Sequence, residues 1–205
     1  MNRRKVISAI AGAAAWPLAA RAQQPDRIRR IGVLMFAAAD DLEGQTRIAA
    51  FEQGLKQLGW SSGQNLHIDY RWGAGDAERY RKYAVELNTL APDVILATNT
   101  PILAILQQTS QTVPIVFVQV SDPVGLGFVS SLAHPGRNAT GFTNFEFGMS
   151  AKWLELLKQI APGVTRVAVL RDSADPGGIG QWGALQSVAP QFGVELTQSG
   201  RFIAR

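Results

Sequence analysis

Short apolar runs alternate along the chain with segments in which apolar residues recur every three or four positions. The runs that are rich in Val and Ile and bounded by turn residues predict buried strands, and they lie at residues 31–36, 94–97, 115–118 and 167–170. Residues 66–72 instead alternate apolar and polar side chains, which indicates a half-buried or edge strand. Two further short strands are predicted at residues 140–142 and 194–196.

Segments of helical periodicity separate these strands. They lie at residues 42–58, 77–90, 102–109, 150–160 and 179–192, and stop signals such as Gly59 and the Pro162-Gly163 pair follow some of them. Consecutive parallel strands need a crossover connection, which a helix usually supplies. The alternation therefore predicts an α/β fold of doubly wound parallel sheets with helices on both faces.

The rhythm is interrupted once and then begins again, which predicts two lobes. Residues 134–138 form a turn-dense stretch between the first set of elements and the second. We therefore expect a first α/β lobe over residues 23–143 and a partial second α/β lobe over residues 144–205. The second lobe has only two predicted strands, too few to cover both faces of a sheet, so we expect it to expose apolar surface.

The first 22 residues predict an export signal of the twin-arginine type. Arg3 and Arg4 precede Lys5, a weakly apolar stretch follows over residues 6–18, and a small-residue site predicts cleavage after Ala22. An amphipathic first helix is the alternative, but the stretch is apolar or small on every face. We expect the mature protein in the periplasm.

Removing the signal changes what the charge of the chain implies. The whole sequence has 20 basic and 16 acidic residues, and the signal holds four of the basic residues and none of the acidic ones. Removing those four leaves 16 basic against 16 acidic residues. The net charge therefore offers no argument for nucleic-acid binding.

The composition also disfavours several kinds of chemistry. The chain has no cysteine, which excludes disulfides, thiolate metal sites, a cysteine nucleophile and a lipid-modified cysteine. Its two histidines, His67 and His134, have no acidic residue or cysteine at metal-ligand spacing. The glycines of residues 177–180 lack a nucleotide-binding fingerprint. We therefore expect no metal, no cofactor and no enzymatic activity.

Ligands of open parallel sheets bind beyond the carboxyl ends of the strands, so the loops at those ends are the candidate site. Thr98, Asn99 and Thr100 follow one predicted strand, with Pro101 suited to the first turn of a helix. One of these side chains is expected to cap that helix. The other polar groups are left for a ligand carboxylate.

The next predicted strand is followed by a similar polar pair, Ser121 and Asp122. The Asp122 carboxylate has two interpretations, since it could pair with a ligand ammonium or cap a helix beginning near Pro123. The residues by themselves leave both open.

Four separated motifs, together with the end of the signal at residues 16–24, resemble those of a known family. In order, they are Pro-Asp-Val-Ile-Leu-Ala at residues 92–97, Pro-Ile-Val-Phe at 114–117, Ser-Asp-Pro-Val-Gly at 121–125 and Pro-Gly-Arg-Asn-Ala-Thr-Gly at 135–141. The chain resembles the substrate-binding components of ABC transporters in the tryptophan/tyrosine-type group. The resemblance implies a type I periplasmic-binding fold, in which two α/β lobes joined by a hinge close on a small ligand.

The resemblance also implies site residues and partners. The cleft would use polar residues of the first lobe, Asn144 near the crossover and Asp172 on the second lobe. Those of the first lobe are Thr98, Asn99, Thr100, Ser121 and Asp122. The expected ligand is an amino acid or a small organic acid, and the expected partner is the membrane permease of an ABC importer, with no nucleic acid and no membrane insertion after signal cleavage.

Other functions stay open at this stage. A periplasmic sensory module could use the same fold, and a secreted α/β enzyme would need a nucleophile and base that the strand ends do not offer. Proteins of the resembled family usually continue for ~100 or more residues, as two domains of ordinary size require. We therefore also expect a chain truncated at its C-terminus, for which a non-functional fragment is a further interpretation.

Overall fold

The computed structural model describes residues 27–172 and 175–199. The predicted export signal lies outside the described residues. The strands are β1 (Arg29–Met35), β2 (Leu66–Trp72), β3 (Val94–Ala97), β4 (Ile115–Ser121), β5 (Ala139–Phe145), β6 (Arg166–Leu170) and β7 (Glu195–Ser199). The helices are α1 (Leu42–Gln57), α2 (Ala77–Thr89), α3 (Thr100–Thr109), α4 (Met149–Ile160) and α5 (Pro176–Val188), and a 3-10 helix at Ala189–Phe192 follows α5.

The strands form two parallel sheets. One has five strands in the order β2-β1-β3-β4-β5, and the other pairs β6 with β7. We call residues 29–145 the first lobe and residues 149–199 the second lobe, and residues 146–148 the crossover. The predicted α/β architecture of parallel sheets is confirmed, and β2 lies at a sheet edge as its alternating pattern predicted.

Acidic and amide side chains begin four of the five helices. Asp41 accepts a hydrogen bond from the Gly44 amide, and Asp76, Asn99 and Asp175 cap α2, α3 and α5 in the same way. These caps satisfy amide groups that a helix leaves unpaired at its amino end. The helix α4 has no side-chain cap and starts directly from the crossover.

Apolar side chains from both faces of the larger sheet form the core of the first lobe. On one face, Leu87 of α2 and Leu103 of α3 pack against Ile95 and Phe117 of the sheet. On the other face, Ile48 of α1 packs in a cluster with buried residues of β1 and with the Ile68, Tyr70 and Trp72 side chains of β2. The second lobe has a smaller cluster, formed by Leu154, Leu185, Ala189 and Val194.

Two strands are longer than the sequence pattern predicts. The strand β4 continues to Ser121 and β5 continues to Phe145, whereas the sequence pattern predicts that they end at residues 118 and 142. An irregularity in the pairing of β4 with β5 and a positive φ of 56° at Gln119 show that β4 contains a bulge. The bulge lets pairing resume beyond it, so Asn144 lies within a strand rather than in a loop.

Within residues 27–172 and 175–199, no helix has both the length and the apolar character needed to span a bilayer.

Candidate ligand-binding site at the strand ends

The candidate site lies at the carboxyl edge of the larger sheet, next to the beginning of α5 from the second lobe. Parallel strands place their carboxyl ends at one edge, and β3 and β4 deliver the predicted polar residues there. Thr98, Thr100 and Ser121 are the three buried polar side chains of this edge. The structure therefore brings the polar residues of two separate loops together.

The Thr98 hydroxyl joins β1 to β3. It donates to the Leu34 carbonyl oxygen at 2.9 Å and accepts from the Phe36 amide at 3.0 Å, and the residue is only 4% exposed. A hydroxyl has one proton to donate, and Leu34 takes it. Thr98 therefore supports the floor of the site, and its predicted contact with a ligand would have to compete with these two bonds.

Asn99 caps α3 and also contacts Tyr80. Its side-chain oxygen accepts from the Ile102 amide at 2.9 Å. Burial raises the pKa of the Tyr80 hydroxyl, and the hydrogen bond that Asn99 donates to the Tyr80 oxygen opposes that rise. Tyr80 donates to the Phe36 carbonyl oxygen at 3.4 Å. Because Tyr80 comes from α2, the structure adds to the site a residue that sequence reasoning missed.

The charge of Asp172 acts on the same place from the second lobe. Asp172 is exposed after β6, and its negative charge contributes to the raised pKa of Tyr80, although burial is the main cause. An electrostatic effect of this kind requires the two groups to be near each other. Asp172, predicted on the second lobe, is therefore near enough to Tyr80 of the first lobe for its charge to act there.

Thr100 and Ser121 connect the ends of β3 and β4. The Thr100 hydroxyl oxygen accepts from the Ser121 amide at 3.0 Å, and both residues are buried. The Ser121 side chain lies against the beginning of α5, where a Cβ atom built on Gly177 would be 3.1 Å from the Ser121 hydroxyl oxygen. Ser121 is therefore a point where the first lobe contacts the second.

The Asp122 carboxylate is bonded to two backbone amides. One oxygen accepts from Gly125 at 2.7 Å, and the other accepts from Phe147 of the crossover at 3.1 Å. The Asp122 amide donates to the Phe145 carbonyl oxygen at 3.0 Å, and the backbone has a positive φ of 35°. Asp122 therefore stabilises a turn and holds the crossover, while a helix beginning near Pro123 is not formed. A ligand ammonium would approach a carboxylate that already has two donors.

Asp175 is a further acidic residue at the site, in addition to the predicted Asp122 and Asp172, and the sequence did not single it out. It caps α5 by accepting from the Gly177 amide at 2.9 Å. Burial raises the pKa of its carboxyl group, the bond from Gly177 opposes the rise, and the charge of Asp172 adds to it. The Asp175-Pro176 pair is a helix-start signal that could have identified this residue as a cap.

Asn144 differs from the other predicted residues of the first lobe because it is exposed, on β5 at the edge of the larger sheet. Its side-chain oxygen accepts from the Phe145 amide at 3.1 Å, and no other bond to this side chain is seen among the described residues. The neighbouring residue of β5, Phe145, pairs with Ser121. Asn144 thus borders the site, and its side chain is bonded only to the adjacent amide.

The described residues hold no group of three or more His, Asp or Glu side chains that could bind a metal ion. The donors and acceptors of the site are hydroxyl, amide and carboxylate groups, beside the amino ends of α3 and α5. Helix amino ends attract anions, and carboxylates attract ammonium groups. The arrangement can therefore bind a small molecule that carries both charges.

Comparisons with solved structures define the class of protein first. The chain is similar to a conserved domain protein from Vibrio cholerae, with 28% identity and a TM-score of 0.74 over 85% of this chain and 58% of that one. It is also similar to an ABC domain from Streptococcus pneumoniae solved in complex with L-Trp, with 22% identity and a TM-score of 0.72 over 84% and 57% of the two chains. The fold is that of the type I periplasmic-binding proteins.

The family follows from the sequence. The family described as "ABC transporter substrate binding protein" matches residues 30–200, and the chain belongs to it. A curated relative, a tyrosine-binding protein from Clostridioides difficile, is 27% identical over 73% of this chain and 43% of its own length. The chain thus spans less than half of this curated relative and a little over half of the solved structures. The family is one of substrate-binding proteins rather than of enzymes.

Proposed function

We propose that this protein captures a small ligand between its two lobes and presents it to the permease of an ABC importer. The observation that carries the proposal is the convergence of polar groups from both lobes on one edge of the larger sheet. Ser121 of the first lobe lies against Gly177 of the second, and the charge of Asp172 in the second lobe contributes to the raised pKa of Tyr80 in the first. A cleft protein of this fold closes on its ligand at such a place.

The chemistry of the site favours an amino acid or a small organic acid. The helices α3 and α5 both begin at this edge of the sheet. The partial positive charge at the amino end of a helix attracts a ligand carboxylate. Asp122 and Asp172 offer negative charge for an ammonium group. In this proposal Asn99, Thr100 and Ser121 orient the ligand, Thr98 supports them from below, and Asn144 borders the crossover.

The relatives suggest which amino acids to test first. One is named for tyrosine, and another was solved with L-Trp. Both of these ligands are aromatic amino acids. We therefore propose aromatic amino acids as the first ligand class.

We further propose that residues 1–22 direct the protein to the periplasm by the twin-arginine route and are removed there. The support is the order of basic, apolar and small residues, together with membership of a family that works with a membrane transporter. Replacing Arg3 and Arg4 together by Lys should leave the uncleaved form in the cytoplasm. Periplasmic delivery that is unchanged in this variant would contradict the twin-arginine route.

The binding proposal is tested by thermal unfolding of the purified protein with L-tyrosine, L-tryptophan and a panel of small organic acids. Binding to the folded state raises the melting temperature, and a ligand at 100 times its Kd adds about 2.7 kcal/mol of stability. Asp172→Asn should reduce the shift by removing one charge. Glu195→Gln is the matched control, because Glu195 is an exposed carboxylate that begins β7, at the opposite end of the smaller sheet. No shift with any compound would refute the proposal.

A further inference from the structure

The first residues of the helix α5 are rich in glycine and read Pro176-Gly177-Gly178-Ile179-Gly180. Glycine is less favourable than alanine inside a helix, since it loses more conformational freedom on folding. Its advantage is the space that a missing side chain leaves for close approach. Two of these glycines face groups that do not belong to the second lobe.

The clearest close approach involves Gly180. A Cβ atom built on Gly180 would lie 2.1 Å from Cε2 and 2.2 Å from Cζ of the Phe147 ring, far inside an ordinary contact distance. Phe147 belongs to the crossover, and its amide donates to the Asp122 carboxylate of the first lobe. A side chain at position 180 would therefore require the Phe147 ring, or α5 itself, to shift, while the Phe147 backbone is tied to the first lobe through Asp122.

Gly177 makes the corresponding approach to the first lobe itself. A Cβ atom there would be 3.0 Å from the Ser121 Cβ atom, and Gly177 is buried. Ser121 in turn is held in place by the hydrogen bond that its backbone amide donates to the Thr100 hydroxyl oxygen. The contact with Ser121 lies directly at the candidate ligand site, so the distance between the two lobes at that point depends on Gly177.

We infer that Gly177 and Gly180 are positioning residues, which let α5 reach the first lobe and thereby set how closely the two lobes approach around the ligand. The inference rests on the proposed binding function and deepens it. Gly178 is different, because its built Cβ atom would meet the Asp172 carbonyl oxygen of the same lobe at 3.2 Å. Gly183 on the same helix has open space around it, so it makes a matched control.

The absence of cysteine allows the lobe spacing to be measured directly. Gln53 of α1 and Gln186 of α5 are both exposed and lie on different lobes. Replacing both by Cys and attaching spin labels gives a distance distribution by pulsed electron resonance without any ligand. Gly180→Ala and Gly177→Ala should each move the distribution to longer distances or broaden it, and Gly183→Ala should leave it unchanged.

Ligand affinity and a compensating substitution distinguish a change in lobe spacing from a loss of folded structure. The affinity for L-tyrosine or L-tryptophan, whichever the unsubstituted protein binds, should fall about tenfold or more in Gly180→Ala, and tenfold corresponds to about 1.4 kcal/mol. Adding Phe147→Leu to Gly180→Ala makes room for the new methyl group and should restore the parent distance distribution. Far-UV circular dichroism checks that every variant keeps its helices.

Identical distance distributions for Gly180→Ala and Gly183→Ala would overturn the inference, and so would a shift that Phe147→Leu fails to reverse. The distance measurement needs no ligand. If the unsubstituted protein binds neither amino acid nor any other compound of the panel, the proposed function fails, while the distances still decide whether these glycines set the lobe spacing.

Discussion

The first strands of the two lobes, β1 and β6, have similar sequences and different surroundings. Both begin with Arg, continue with apolar residues and pair in parallel with the strand that follows the next helix. The strand β1 also pairs with β3, whereas β6 has one neighbour among the described residues. Leu34 of β1 is 0% exposed and Leu170 of β6 is 63% exposed. An apolar run therefore predicts a strand, and the burial of that strand depends on its neighbours.

The helices show the same difference. Helices cover both faces of the larger sheet, with α1 on one face and α2 and α3 on the other. In the second lobe Val167 and Val169 pack against Leu154 and Leu185, while the alternate residues Ala168 and Leu170 are exposed. A cavity of about 330 Å³ lies beside β6 between α4 and α5. Dispersion contacts are correspondingly fewer in the second lobe.

The largest expected effect comes from removing the same core side chain in each lobe. Leu103→Ala should lower the free energy of unfolding by about 4 kcal/mol and Leu185→Ala by about 2 kcal/mol, because Leu103 is 0% exposed and Leu185 is 8% exposed next to the cavity. Urea denaturation of the two variants and the parent gives both values. Equal losses would mean that the second-lobe core is packed as well as the first.

Local opening should also differ between the lobes. Amides of β6 should exchange with solvent about tenfold or more faster than amides of β3, since within residues 27–172 and 175–199 one edge of β6 has no partner strand and fewer buried contacts surround it. Tenfold corresponds to about 1.4 kcal/mol in the opening free energy. Native-state hydrogen exchange followed by mass spectrometry or NMR measures this. Uniform protection across β3 and β6 would remove the distinction.

A surface substitution tests the uncovered face of β6. Leu170→Lys should change the free energy of unfolding by no more than about 0.5 kcal/mol and should weaken self-association, because a charge on an exposed edge discourages pairing. Analytical ultracentrifugation over a concentration series measures the association. Leu34→Lys is the contrasting variant and should prevent folding, since it would bury a charge. A large loss of stability in Leu170→Lys would show that this face is covered.

The smallest expected effects are two opposite pH dependences. Hydrogen bonds from the Arg30 backbone amide and the Arg29 side chain lower the pKa of Asp93 in the first lobe. The ionised carboxylate therefore stabilises the folded state at pH values above the pKa of Asp93 in the unfolded chain. This stabilisation is lost as the pH falls through the pKa of Asp93 in the folded protein. Burial raises the pKa of Asp175 in the second lobe. The contribution of the protonated carboxyl group to the stability of the fold is therefore present at low pH and is lost as the pH rises through the pKa of Asp175 in the folded protein.

Asparagine variants test both signs. Asp93→Asn should destabilise the protein at pH 7, and the difference from the parent should shrink as the pH is lowered below the unfolded value of about 4. Asp175→Asn keeps a good helix cap and should be neutral or slightly stabilising at pH 7. Thermal unfolding between pH 3 and pH 7 gives both profiles. Parallel profiles for the two variants would contradict the assigned pKa directions.

The bounds of β2 and β3 were predicted without error because their patterns depend only on neighbouring residues. The bulge in β4 was missed because it comes from pairing with β5, which the local sequence does not show. The sequence predicted Thr98 and Ser121 as candidate site residues because each follows a predicted strand. The sequence could not show that the Thr98 hydroxyl is hydrogen-bonded to the backbone of Leu34 and Phe36. It also could not show that α2 brings Tyr80 beside Asn99. Both contacts join distant parts of the chain.

The hydroxyl of Thr98 has a mechanical consequence. It holds the last residues of β1 and β3 at one fixed spacing, and a valine of the same shape would leave a buried carbonyl and an amide unpaired, at about 1–3 kcal/mol for each group. The base on which a ligand would rest is thus stiff. If the protein closes on a ligand as proposed, the movement would have to come from the other side of the site, where Gly177, Gly180 and the crossover at residues 146–148 lie.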